Sequence, residues 1–242
     1  MTPTLGRVAT EQLARFGREW RQGQHILVTG NTGSGKTTLA RKILQERIRR
    51  GGFVVVFVGK LGKDDTITRD YSLRDGWTRW TKWHSSPKVF ENKVLLWPNT
   101  DKFKDVEDAV AHQSEVFRDA FNRLIRAGHW TVQIDEGLYT TSPRFLKLGR
   151  HLALSQQQGR SANLSVMTLA QRPSNLPLEV YGSATHAFTA RCNLQEDRQR
   201  LAQLGLSDPK RTMNDIAKLG PHEFLWTPTR VGSEAEILDL SR

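Results

Sequence analysis

Eight consecutive residues, Gly30-Asn31-Thr32-Gly33-Ser34-Gly35-Lys36-Thr37, set three glycines, a lysine and a hydroxyl in G-x-x-x-x-G-K-[ST] spacing. That spacing serves phosphate binding. Glycines let consecutive backbone N–H groups converge on phosphate oxygens with no Cβ in the way. The N-terminus of a following helix adds partial positive charge. Lys36 has the reach for the β- and γ-phosphates, and the Thr37 hydroxyl can ligate magnesium. The loop follows the apolar run Ile26-Leu27-Val28 and opens into helix-forming residues from Thr38 to Leu44. Strand, glycine-rich turn and helix are the context such a loop requires. The expected cofactors are ATP and Mg2+, with Gly30, Asn31, Thr32, Gly33, Ser34, Gly35, Lys36, Thr37 and Thr38 as the binding segment.

A phosphate loop says what is held and leaves open what happens to it. Asp135-Glu136 narrows the choice, because the pair leaves the apolar run Trp130-Thr131-Val132-Gln133-Ile134. Asp135 suits the magnesium partner that completes the site begun by Thr37. Glu136 suits a general base that polarises water for attack on the γ-phosphate. A kinase needs a bound acceptor hydroxyl, and a switch GTPase carries other loops. A second carboxylate beside the magnesium aspartate therefore favours hydrolysis.

The elements that must position these groups are legible in order. Thr10 to Arg21 reads as an amphipathic helix capped by Thr10, with Leu13, Phe16, Gly17 and Trp20 on one face and Gly23 ending it. His25 to Thr29 is the first strand. The loop's helix runs from Lys36 to about Arg50 and closes at Gly51-Gly52. Phe53 to Val58 is a continuous apolar run, as for a strand covered on both faces. Gly59 to Ser86 is the least regular stretch, and Gly59 to Asp65 reads as a loop at a strand's C-terminal end. Trp77, Trp80 and Trp83, spaced by three, fit either a base-stacking surface or a short helix burying its tryptophans; one helical stripe favours the helix.

Further along, Lys93 to Trp97 is a strand ended by Pro98. Asp105 to Arg126 is a helix whose buried stripe is Val106, Val110, Phe117, Phe121, Leu124 and Ile125, stopped by Gly128. Trp130 to Ile134 is a strand, Pro143 to Gln158 a helix, and Leu164 to Leu169 and His186 to Arg191 further strands. Glu223 to Trp226 and Glu236 to Leu240 form a hairpin through Thr227 to Gly232. Strands alternating with helices give an α/β three-layer sandwich around a mostly parallel sheet, with the hairpin added antiparallel at one edge.

Composition sets the remaining bounds. A chain of 242 residues has room for one α/β domain with a sizeable core, so 1–242 is read as a single unit: N-terminal helix 1–22, core 23–226 and hairpin strand 227–242. The longest apolar runs are strand-sized, which argues against membrane insertion, and the N-terminus lacks a secretion-signal pattern. A single cysteine, Cys192, excludes an intrachain disulfide and suits a reducing cytoplasm, the expected location. The seven histidines form no ligand spacing for a structural metal. A formal charge of +11, from 36 Lys+Arg against 25 Asp+Glu, favours a polyanionic partner, most simply nucleic acid.

A third run, Arg160 through Leu169 followed by Ala170-Gln171-Arg172-Pro173-Ser174, carries a family resemblance. It resembles the HerA/FtsK superfamily of P-loop ATPases, whose pattern reads roughly Arg-x-x-Gly, an apolar strand, then Thr/Ser-Gln-Arg-Pro-Ser. Gln171-Arg172-Pro173-Ser174 matches, while Asn163 stands for the usual glycine and Ala170 for the usual hydroxyl residue. His186 to Arg191 with Asp197-Arg198 is similar to the family's next strand and acidic-basic helix. The resemblance runs from about Gly23 to Trp226 and is weakest over Gly59 to Ser86.

The resemblance implies a RecA-like sheet in which the strand before Gln171 lies between those before Lys36 and Asp135. It implies that Gln171 senses the γ-phosphate, and that copies form a homo-oligomeric ring, a pentamer or hexamer, with ATP at subunit interfaces and double-stranded DNA in the channel. An arginine from the neighbour then stabilises developing charge; Arg160 is the expected residue, with Arg150, Arg172 and Arg191 as rivals. The expected catalytic set is Lys36, Glu136, Gln171 and Arg160 in trans, with Thr37 and Asp135 holding magnesium. Arg144, Lys147 and the loop from Lys60 to Lys63 are candidate DNA contacts. Without room for the extra domains of cellular members, the core resembles compact viral genome-packaging ATPases, which implies a DNA translocase docking on a viral portal or capsid component. Plasmid transfer or chromosome partition by the same core is the alternative, and an ATP-dependent switch acting on protein is the alternative of another class.

Overall fold

The computed structural model describes residues 7–72, 75–84, 91–203, 208–229 and 234–241. From the N-terminus the elements are α1 (Arg7–Glu19), β1 (His25–Thr29), α2 (Lys36–Arg49), β2 (Phe53–Phe57), α3 (Asp65–Asp70), β3 (Thr78–Trp80) and β4 (Lys93–Leu96). There follow α4 (Val106–Ala127), β5 (Trp130–Ile134), α5 (Gly137–Thr141), α6 (Gly149–Gln157), α7 (Gly159–Ala162) and β6 (Ser165–Ala170). After a 3-10 turn at Pro173–Asn175 come α8 (Leu178–Gly182), β7 (Ala184–Ala190), α9 (Gln195–Ala202), α10 (Pro209–Lys218), β8 (Glu223–Pro228) and β9 (Glu236–Asp239).

The strands make one nine-stranded sheet in the order β3-β4-β2-β5-β6-β1-β7-β8-β9. Strands β3 to β7 in that order run parallel, and β8 and β9 add antiparallel. Strand β6 lies between β1 and β5, as the resemblance implies. Successive residues of a strand face opposite sides. Val54, Val56 and Val58 accordingly join Phe16, Trp20, Leu39 and Ile43 beneath α1 and α2, while Val55 and Phe57 join Phe117, Phe121 and Leu152 beneath α4 and α6. Both faces of β1, β5 and β6 are buried along their whole length, which fits their largely apolar sequences, with Thr131, Gln133, Ser165 and Thr168 buried among them.

Several expectations change. Helix α1 begins at Arg7, so Thr10 lies inside it and does not cap it. Asp105 caps α4 by accepting from the N–H groups of Glu107 and Asp108, which leaves Val106 in the first turn and 66% exposed, outside the buried stripe. Of the expected helix from Pro143 to Gln158 only the later part forms, as α6 from Gly149, and residues 142–148 are a non-helical connection from the unanticipated α5. Between them Lys147 adopts φ 58, and its N–H reaches back to Ser142 O at 3.2 Å. Trp77, Trp80 and Trp83 are buried as expected, but on no helix. Trp80 ends β3, so Trp77 packs on the α2 face and Trp80 and Trp83 on the α4 face. Helices α3, α8 and α10 were not anticipated. The hairpin strands are present, while the connection expected at 230–232 lies outside the described residues. Among the described residues no helix is long and apolar enough to cross a membrane.

Candidate functional site

Three strand ends meet at one edge of the sheet. Strand β1 delivers the phosphate loop, β5 delivers Asp135-Glu136, and β6 delivers Gln171. Register fixes their relation: Val28 pairs with Leu169, Thr29 with Ala170, and Ile134 with Thr168. The Gly30 N–H donates to Ala170 O at 3.2 Å, closing the loop's base against β6.

Inside the loop the glycine types are required. Gly30, Gly33 and Gly35 have φ values of 151, 79 and 94, and a Cβ on Gly30 would sit 2.6 Å from the Ala190 methyl. Lys36 Nζ donates to Gly30 O at 2.8 Å and Asn31 O at 2.9 Å, curling back over its own loop. The buried Ser34 Oγ has no hydrogen-bond partner among the described residues. Burial pushes the Lys36 ammonium down from its usual range, while Glu136 and Asp135 oppose that.

Gln171 links the loop to the acidic pair. Thr32 Oγ1 donates to Gln171 Oε1 at 3.0 Å, and Gln171 Nε2 donates to Glu136 Oε2 at 3.1 Å. One amide thus uses its acceptor toward the phosphate loop and a donor toward the carboxylate. Burial pushes the Asp135 carboxyl up to about 6, with Glu136 and Asp64 adding to the rise and Lys60 and Lys36 opposing it. Burial raises Glu136 as well, against the hydrogen bonds from the Leu138 N–H and Gln171 and the charge of Lys36. Carboxylates under this strain gain from a cation, and hydroxyl and carboxylate oxygens are hard donors. Magnesium takes one or two protein oxygens and completes its shell with phosphates and water, so Thr37 and Asp135 fit it. No group of three or more His, Cys, Asp or Glu suited to a metal exists among the described residues.

A polar brace backs the acidic pair. Tyr139 of α5 donates to Gln113 Oε1 at 2.8 Å, and Gln113 Nε2 of α4 donates to Val58 O at 3.0 Å. The rest of the Gln-Arg-Pro-Ser run is structural: buried Asp197 of α9 accepts from Ser174 N at 3.0 Å and pairs with Arg172 Nε at 3.2 Å. Arg172 is therefore engaged within its own chain.

Arg160 is not at this edge. Its Cα lies 3.0 Å from where a Gly23 Cβ would be, at the entrance of β1, so Arg160 sits exposed at the opposite end of the strands. Arg150 is exposed at the start of α6, and Arg191 lies beside the phosphate loop of its own chain. Of the DNA-contact candidates, Arg144 and Lys147 line a groove with α4 of about 760 Å3. Lys60 also acts electrostatically on Asp135, a role with no sequence signal because it depends on β2 and β5 pairing. Asp64, which caps α3, was missed for the same reason.

Comparison with known proteins agrees with this geometry. The family model of the Helicase HerA central domain (DUF87) matches residues 22–57. The genome packaging NTPase B204 of Sulfolobus turreted icosahedral virus 2, solved with sulfate, is 14% identical with a TM-score of 0.63, over 90% of this chain and 96% of that one. VirB4 of Thermoanaerobacter pseudethanolicus is 10% identical with a TM-score of 0.62, over 89% of both chains. The pCW3 conjugation coupling protein TcpA is 16% identical with a TM-score of 0.55, over 91% of this chain and 61% of that one. No curated protein matches the chain in sequence. Loop, strand order and matches together give the chain a RecA-like fold shared with these ATPases, and the HerA central-domain match falls on its phosphate-loop segment.

Proposed function

We propose that the chain is a magnesium-dependent ATPase, one unit of a ring that moves double-stranded DNA. The observation that carries the ATPase reading is the Thr32–Gln171–Glu136 chain of hydrogen bonds, which ties the phosphate loop to a raised carboxylate through an amide from the intervening strand. The loop N–H groups and Lys36 hold the triphosphate; for Lys36 this means exchanging Gly30 O and Asn31 O for phosphate oxygens. Thr37 and Asp135 hold magnesium, whose chemistry is to neutralise phosphate charge. Glu136 accepts a proton from the attacking water, and Gln171 reports on the γ-phosphate through the bond it shares with Thr32. Solved structures of B204 with AMP, AMPPCP and ATP-gammaS add weight to nucleotide binding on this fold.

DNA as cargo rests on the +11 charge and on relatives named for genome packaging and conjugation. Viral genome packaging is the leading reading and plasmid transfer the alternative, each supported by a structural neighbour named for it. Copies docking on a portal or capsid, and Arg160 acting across the subunit boundary, belong to the same proposal. Two variants test the hydrolytic core. Lys36→Ala abolishes ATP binding, whereas Glu136→Gln keeps it and lowers turnover by ~10²–10⁴. Undiminished turnover in Glu136→Gln sinks the base assignment.

A further inference from the structure

At the end of the strands opposite the phosphate loop lies a cavity of about 430 Å3, in the size range of small-molecule sites. Arg47, Arg50 and Gly52 at the end of α2 form one side, Gln22 before β1 and His129 before β5 the other, and Phe53 opens β2 between them. Lys36 begins α2 and Arg47 lies in its last turn, about 16 Å further along the helix axis. The cavity is therefore separate from the phosphate loop, and none of its residues is used by the chemistry described above.

Charge in this cavity is unbalanced. Arg47 is only 8% exposed, yet among the described residues neither it nor Arg50 has a carboxylate at ion-pair distance, and no aspartate or glutamate borders the cavity. A buried charge is ordinarily paired. Arg47 Cζ lies 3.8 Å from the centroid of the Trp20 ring and Nη2 donates to Arg21 O at 3.4 Å, while Nε has no partner among the described residues. Burial lowers this guanidinium from its usual range to about 10, and the charge of Arg50 adds to the fall. Basic residues in a last helical turn often only complement the helix dipole, and exposed Arg49 serves that end. Such a role gives no reason to bury Arg47 against Trp20.

The backbone accommodates the arrangement. A Cβ on Gly52 would lie 2.8 Å from Cγ and Cδ of Arg47, so glycine there lets the side chain pass. Arg50 Nη1 donates to Gly17 O, holding the second guanidinium between α1 and the rim of the cavity. Bare carbonyls at the end of α2 would repel an anion. Here Arg47 O accepts from Arg50 N at 3.2 Å and Gly52 N at 3.0 Å, and Ile48 O accepts from Gly51 N at 2.9 Å.

We propose that this cavity binds a phosphate dianion, either free or ending a small organic molecule. Two guanidinium groups match the two charges of such a dianion, whereas one carboxylate would leave half of the positive charge unmet. Forked N–H edges suit phosphate oxygens. Exposed His129 adds a donor at the rim, and partly buried Phe53 offers an apolar surface to an organic group.

Calorimetric titration with inorganic phosphate, phenyl phosphate and acetate tests the site, in the full chain carrying Lys36→Ala so that the phosphate loop lacks its cation. This chain binds inorganic phosphate at one site and does not bind acetate at the same concentration. Adding Arg50→Gln, a change at an exposed position that leaves the core intact, weakens phosphate roughly tenfold, the scale of one charge-assisted contact. Adding Arg47→Met keeps an unbranched side chain against Trp20 and removes phosphate binding, with thermal unfolding confirming that the variant folds. Phenyl phosphate bound more tightly than inorganic phosphate identifies an organic phosphomonoester as the ligand class, and the reverse order identifies free phosphate. Phosphate affinity unchanged by Arg50→Gln and by Arg47→Met, or a Lys36→Ala chain that binds no phosphate, overturns the site.

Discussion

Gln171 is the residue on which the site turns, since its side chain bonds both the loop and the catalytic carboxylate candidate. Its amide holds Glu136 through one bond and Thr32 through another, at 3.1 and 3.0 Å. Gln171→Ala removes both partners at once, so ATP affinity changes little while turnover falls by ~10-fold or more, a loss of at least about 1.4 kcal/mol of transition-state stabilisation. Steady-state ATPase rates beside calorimetric affinities check this; a parallel loss of affinity and turnover would make Gln171 a general loop support instead. At this scale the sequence was most informative where spacing alone encodes chemistry. Gly30 to Thr37 is local, and Asp135-Glu136 is marked by the apolar run before it. Gln171 became visible only through family resemblance. Lys60 and Asp64 carry no local signature, because each reaches Asp135 only through the pairing of distant segments.

At the scale of elements, the end of the sheet opposite the site is held by a buried neutral histidine. His25 Nδ1 accepts from Val166 N at 3.0 Å while Nε2 faces Gln156 O at 2.8 Å, which requires one proton on Nε2 and none on Nδ1. Burial lowers its pKa to about 4, against the modest opposing effect of the Gln156 carbonyl. Folded His25 therefore stays neutral where the unfolded chain protonates, below about 6.5. Its contribution is present above about pH 6.5 and is lost as pH falls from there toward 4, by up to roughly 3 kcal/mol. Urea midpoints at about pH 7.5 and about pH 5 should diverge in the wild type and less so in His25→Gln; equal divergence would remove His25 as the cause. Gly159 packs against the same ring: an added Cβ would lie 2.4 Å from His25 Cε1 and 2.5 Å from Leu164 O. Gly159→Ala is expected to cost ~1–3 kcal/mol by overpacking, read from thermal or urea unfolding.

Element types were legible where burial is uniform. Strands β1, β2, β5 and β6 are short, rich in apolar residues and almost wholly buried on both faces, so length and composition identified them. The tryptophan stretch misled because spacing by three is one helical stripe, yet here only Trp80 lies on a strand, and the chain before and after β3 carries Trp77 to one buried face and Trp83 to the other. Pro143 to Gln158 misled because no glycine or proline announces the left-handed backbone at Lys147. Val106 was misplaced because a capping aspartate just ahead of it fixes the first turn and turns that turn outward.

The whole molecule presents its phosphate loop at one end of the strands and Arg160, exposed, at the other. That separation makes Arg160 incapable of serving its own loop and leaves it free to serve a neighbour's. Mixing Arg160→Ala with Lys36→Ala subunits therefore restores activity from two inactive proteins, each supplying what the other lacks; persistent inactivity across mixing ratios would reject Arg160 as the trans group. Net charge was a whole-molecule property readable without any structure, and +11 carries the DNA reading further than any single basic residue does. The most direct measurement of the central claim is steady-state ATP hydrolysis with and without duplex DNA across a salt series. Duplex DNA of unrelated sequences should stimulate turnover alike, and the stimulation should weaken steeply with rising salt as phosphate contacts are screened. Turnover indifferent to duplex DNA at low salt would contradict a DNA motor and leave an ATPase that acts on something else.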